Sequence, residues 1–129
     1  MNKQDKEILL KDLCARLPYR VKVKSSRRRE STTLSLAVMI DFHLGYSVKP
    51  FLRPMSSMTK EEFSEVKRLF GFEITTSLGK TYIDDWKQGL NEINYTIDLI
   101  DWLNAHHLDY RGLIKKGLAL EAPEEMYKL

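Results

Sequence analysis

Six basic side chains between positions 20 and 29 are the residues whose types and spacing best suit a chemical task. Arg20, Lys22 and Lys24 recur at every second position of Tyr19-Arg20-Val21-Lys22-Val23-Lys24, and Arg27, Arg28 and Arg29 follow closely. On an extended strand, residues two apart share a face. The first three would therefore line one side, and the arginine triplet would continue the row at the strand's end. Such a row can neutralise phosphates, and guanidinium groups match phosphate geometry. The same pattern serves as a solvated strand face whose lysines guard an edge against aggregation.

Charge is spread unevenly around this row. Residues 1–29 carry ten Lys/Arg against three Asp/Glu, a net +7, whereas the remainder nets −4 and the chain +3. Seven basic residues from Arg16 to Arg29 have no acidic residue among them. The sequence pI of about 8.9 falls short of the value above roughly 9 expected of nucleic-acid-binding domains. No helix-turn-helix, zinc-finger or aromatic RNA-binding pattern accompanies the row.

Other chemistry-bearing residues point less far. His106-His107 followed by Asp109 invites a metal, but adjacent helical residues diverge by about 100°. The i, i+4 histidine spacing of helical zinc sites is absent. Asp84 and Asp85, with or without Asp98 and Asp101, match no calcium loop. No phosphate-cradling glycine loop, nucleophile elbow or zinc-protease motif occurs, so no catalytic residue, metal or cofactor is expected. The single cysteine, Cys14, excludes an intrachain disulfide and suits a reducing compartment; it is expected to pack as a small buried thiol. With 43% hydrophobic and 30% charged residues the composition is that of a globular chain, not a disordered one. No run approaches a membrane span of about 18 apolar residues and no secretory signal is visible. Cytoplasm is the expected location, with no membrane partner.

The elements that must position these residues follow from periodicity. A helix over about 4–17 ends at Pro18. Strands are expected over about 19–24, 32–42 and 46–49, in an antiparallel meander, with Leu34, Leu36, Val38 and Ile40 on one face of the second. Pro50-Phe51-Leu52-Arg53-Pro54 reads as a stiff linker. Thr59-Lys60-Glu61-Glu62 is a capping box opening a helix over about 59–70, closed by Gly71. A small hairpin is expected over 72–83. The densest apolar stripe belongs to a helix over about 93–107, which should bury Leu99, Trp102 and Leu103 against the sheet. A short helix over about 109–116 follows, capped by Asp109. The expected fold is one α+β domain over 1–129: a small antiparallel sheet of three or more strands, an N-terminal helix, and C-terminal helices packed on one sheet face.

Several strings carry a resemblance. These are Leu10-Lys11-Asp12-Leu13-Cys14-Ala15-Arg16-Leu17-Pro18-Tyr19, Leu52-Arg53-Pro54-Met55-Ser56-Ser57-Met58-Thr59, Tyr82-Ile83-Asp84-Asp85-Trp86, Trp102 to Leu113, and Gly117-Leu118-Ala119-Leu120-Glu121-Ala122-Pro123. In this order they resemble a family of short proteins from gut Bacteroidales genomes, some of them in mobile or prophage-like regions. The resemblance implies no activity. The Arg27-Arg28-Arg29 turn is more basic here than in those proteins, so a function built on it would be particular to this chain.

Three functional classes are weighed. First is a non-enzymatic interaction or accessory module, binding a protein partner or itself, with anchors drawn from Trp86, Trp102, Met55, Met58 and Met126. The alternative is a nucleic-acid-binding module using Arg20, Lys22, Lys24, Arg27, Arg28 and Arg29. Third is a small enzyme without a recognisable motif.

Overall fold

The computed structural model describes the backbone of residues 1–70, 72–77, 80–85 and 92–128, and the side chains of 1–70 and 97–128. Helix α1 spans Lys3–Arg16 and is capped by Asn2, whose side chain accepts from the Asp5 amide at 2.7 Å. Its inward face carries Leu9 and Leu13, but also Asp12 and Arg16, which share that face at helical spacing and are fully buried. A 3₁₀ turn, Leu17–Tyr19, follows, and Arg20 sits in the left-handed region at φ 57°. Strand β1 therefore starts only at Lys22 and runs to Ser25.

The second expected strand is mostly a helix. Strand β2 is Thr32–Thr33 alone, and α2 occupies Leu36–His43. Ser35 caps α2, its hydroxyl accepting from the Val38 amide at 3.4 Å. Leu34, Val38 and Asp41 are buried, whereas Leu36 and Ile40 point outward. A charge-poor apolar run satisfies both periodicities, and here the cap and the burial of Asp41 select the helix.

Strand β3 covers Val48–Leu52, so the proline-containing stretch read as a linker lies inside the sheet. The strand order is β2-β1-β3-β6, where β6 is Leu120–Glu121. β1 pairs antiparallel with both β2 and β3, but β6 pairs parallel with β3. The sheet is mixed and is not a meander. Pro50 has no N–H to offer a ladder, and β6 begins pairing only at Phe51. One rung beyond the Val23–Pro50 pair, the Tyr127 hydroxyl stands between the strands. It accepts from the Lys22 amide at 2.8 Å and donates to the Phe51 carbonyl at 2.7 Å. Burial pushes its pKa up to about 12.

The capping box forms as spaced: the Glu62 amide donates to the Thr59 hydroxyl at 3.2 Å and the Thr59 amide to the Glu62 carboxylate at 3.0 Å. It opens α3, Lys60–Phe70. Strands β4 (Phe72–Ser77) and β5 (Lys80–Asp85) pair antiparallel as a hairpin. Gly71, residues 86–91 with Trp86, and the Asp84 and Asp85 side chains lie outside the described residues. Helix α4 spans Glu92–Ala105.

Two cores result. One lies under the four-stranded sheet and takes Leu9, Leu13, Val23, Val38, Val48 and Leu52. The other gathers Met55, Met58, Val66, Leu99, Trp102, Leu103 and Leu108. Trp102, Leu99 and Leu103 are thus buried against α3 and the Met55–Ser57 turn, not against the sheet. No helix forms over 109–116. Gly112 and Gly117 adopt φ of 71° and 75°, and the Asp109 carboxylate takes the Leu113 and Ile114 amides at 2.8 and 3.0 Å. The carboxylate supplies the acceptors that a helix would have provided, and the chain turns toward β6.

A buried polar cluster joins α1 to this turn. Arg16 donates to Asp12 at 2.8 Å and to the Leu108 carbonyl at 2.7 Å, and Arg111 approaches Asp12 at 3.3 Å. Burial raises the Asp12 pKa despite the neighbouring guanidinium groups.

Candidate interaction surface

The basic turn after β1 is folded onto α2. Asp41, fully buried, accepts from the Ser25 hydroxyl at 3.0 Å, from Arg28 Nε at 2.8 Å and from Arg27 Nη1 at 3.3 Å. The hydrogen bond from Arg28 holds the Asp41 pKa below the ordinary carboxylate value in spite of desolvation. Arg27 also lies over the Tyr46 ring, 5.5 Å from its centroid. Two guanidinium groups meet one carboxylate here, so the node keeps a positive balance. Both arginines stay partly in solvent, with side chains 51% and 38% exposed.

The six residues expected to form one basic row are thereby divided. Arg20 is exposed in its left-handed turn, off the strand. Lys22 and Lys24 do share the outward sheet face, with Lys22 Nζ donating to the Thr33 hydroxyl at 2.7 Å. Arg27 and Arg28 are committed to Asp41, while Arg29 is exposed. Arg16, at the start of the basic segment, is buried. The structure adds Lys49, which faces Lys24 across the β1–β3 ladder. The strand expected over about 46–49 contains Lys49, but only the pairing of β1 with β3 sets it opposite Lys24.

Beside the node lies an apolar stripe. Leu36 is 72% exposed, Ile40 56% and Leu44 60%, at i, i+4 and i+8, and Tyr46 beyond them is 42% exposed. Leu44 continues the helical line, its amide donating to the Ile40 carbonyl at 2.9 Å. Asp41 is one residue, about 100°, round the helix from Ile40, so Arg27 and Arg28 approach along the stripe's flank. Strand periodicity hid this stripe, although Ser35 followed by Leu36, Ile40 and Leu44 would have signalled a capped helix. Of the anchors expected from sequence, Met55, Met58 and Trp102 are core residues.

Among the described residues the other candidate groups do not converge. The His106 ring lies 3.8 Å from the Trp102 ring, its Nδ1 2.8 Å from the Trp102 carbonyl. The His107 ring instead stacks on Tyr127 at 3.8 Å, from a left-handed backbone. Burial lowers its pKa to about 4, with Arg16 adding to the effect. Among the described residues no group of three or more His, Cys, Asp or Glu is placed to hold a metal ion. Cys14 is exposed, not packed, because it falls on the outer side of α1. A groove of about 610 Å³ runs between Pro54 and Pro123. Within it Arg53 and Glu62 form a two-point ion pair at 2.6 and 2.8 Å, so each charge is satisfied by the other. No described helix is long and apolar enough to cross a membrane.

No family model, curated protein or solved structure matches the chain.

Proposed function

We propose that the chain is a non-enzymatic interaction module that presents the outer face of α2 to an apolar, acid-rimmed groove on a protein partner. One observation carries the reading: Leu36, Ile40 and Leu44 share one helix face and are each more than half exposed. Aliphatic anchors at successive turns are how an amphipathic helix seats in a groove. Single exposed apolar residues are ordinary, but an aligned set is a recognition feature. The flanking Arg27 and Arg28 give the surface its positive edge, which sets the charge expected on the partner. Pairing with a second copy is disfavoured, since a two-fold interface across this face would bring the arginine edges toward one another.

The test is selection from a displayed library of helical-hairpin scaffolds, using the full chain as bait. Selected binders should combine apolar grooves with Asp/Glu rims and bind the wild type at least tenfold tighter than Ile40→Glu. The variant should melt at the wild-type temperature or above. Neutral or basic binders, or binding indifferent to Ile40→Glu, would overturn the proposal. So would concentration-dependent dimerisation in sedimentation that Ile40→Glu abolishes, which would give the face to a second copy.

A further inference from the structure

We propose that the outward sheet face at Lys24 and Lys49 is a phosphate-binding site. The β1–β3 register sets these two lysines directly opposite one another, where Cβ atoms stand about 4.5–5.5 Å apart and like charges destabilise the pairing. Neither lysine has an ion-pair partner among the described residues. Two positions on, past the Ser25–Val48 rung, Ser26 and Ser47 meet: the Ser26 amide donates to the Ser47 carbonyl at 2.8 Å, and the Ser47 amide to the Ser26 hydroxyl at 3.0 Å. The four residues, with Leu120 at the side, line a concavity of about 260 Å³, and no carboxylate is among its described lining residues.

That volume is several times the roughly 30 Å³ share of one liquid water, so a phosphate group with part of its hydration fits. Two ammonium groups supply up to six donors, and the Ser47 hydroxyl adds another. A bound oxyanion would relieve the repulsion that the register builds in. The ligand is thus a phosphate group, which a nucleic-acid backbone and a free phosphate ester both offer. The site differs from the arginine-centred row suggested by the sequence. It is built on the β1–β3 ladder and not on α2, and it uses none of Leu36, Ile40 and Leu44.

The experiment is an amide NMR titration of the ¹⁵N-labelled full chain with inorganic phosphate. Fluorescence anisotropy of a labelled oligothymidylate at two salt concentrations runs beside it. Saturable shifts at Ser26, Ser47 and Lys49 with phosphate are expected, absent from the Lys24→Gln/Lys49→Gln double variant and retained in Lys49→Arg. If the source is a nucleic-acid backbone, the double variant should bind the oligonucleotide at least tenfold more weakly. Its salt slope should fall by about 1.4, the single-strand value for two lost phosphate contacts. Phosphate shifts without oligonucleotide binding would support the site and assign it to a free ester. No response to either probe would overturn the proposal. A response that survives the double variant but disappears in Arg29→Ser would also overturn it. Ile40→Glu should leave all of these responses unchanged.

Discussion

Arg28 Nε lies 2.8 Å from Oδ2 of Asp41, thirteen positions away, and ties the basic turn to the inner side of α2. The contact makes part of the arginine triplet structural. Asp41→Asn should therefore lower the melting temperature more than Arg29→Ser does, because it removes the buried negative charge and replaces one of the two oxygens that accept from Arg27, Arg28 and Ser25 with an NH2 donor. The pH dependence has a definite sign. The Asp41 pKa is depressed in the fold, so its contribution is full near neutral pH. It is lost as pH falls below the ordinary carboxylate range. Thermal melts of wild type and Asp41→Asn should converge as pH is lowered. Parallel curves would show that Asp41 does not titrate with unfolding.

Tyr127→Phe should destabilise the chain by about 1–3 kcal/mol in urea denaturation, the cost of leaving buried partners unpaired. The partners are the Lys22 amide and Phe51 carbonyl, which the hydroxyl bridges in place of a ladder bond. Its pKa of about 12 lies above the ordinary 10.0. Unfolding therefore favours phenolate release between those values, and stability falls as pH rises through that window. Tyr127→Phe should remove this alkaline limb. A loss under about 0.5 kcal/mol, below the usual net worth of a hydrogen bond, would mean that water replaces the bridge.

His107 adds an acid limb of its own. Its pKa is lowered from 6.5 to about 4, so the unfolded chain binds more protons between these values. Stability then declines as pH falls from above 6.5 toward 4. His107→Phe keeps a ring to stack on Tyr127 and should flatten this limb while leaving the alkaline one. Ring-proton NMR of the wild type should show one histidine titrating well below the ordinary value of 6.5.

Trp102→Ala should cost about 3–5 kcal/mol, as for other large buried aromatic residues. The side chain sits among Met55, Met58, Val66 and Leu103, with its Nε1 donating to Glu65 at 3.1 Å. A loss below about 1 kcal/mol would contradict that packing. Leu36→Ser, on the exposed stripe, should change stability by less than about 0.5 kcal/mol.

Where a signal was local, the sequence carried it. The Thr59/Glu62 capping box, the start of α3 and the apolar face of α4 with Leu99, Trp102 and Leu103 depend on residues three or four apart, and the structure has them. The α+β class also follows from such patterns. Residues 34–43 show the limit, since Leu34, Leu36, Val38 and Ile40 alternate as a strand would and also fit a helix.

Choices that depended on distant partners belonged to the tertiary structure alone. Burial of Asp41 against Ser25 and Arg28 settled α2 as a helix and exposed Leu36, Ile40 and Leu44. The β1–β3 register put Lys49 opposite Lys24 and moved the concentrated charge from the arginine turn to the sheet. Pairing with β6, about seventy positions away, turned an apparent proline linker into the inner strand β3 and made the sheet mixed. The amino-acid sequence by itself determined the local helix signals and the supply of basic side chains. Which charges are neutralised and which apolar residues face solvent was decided only when distant segments met, because burial and register depend on partners that local periodicity does not contain.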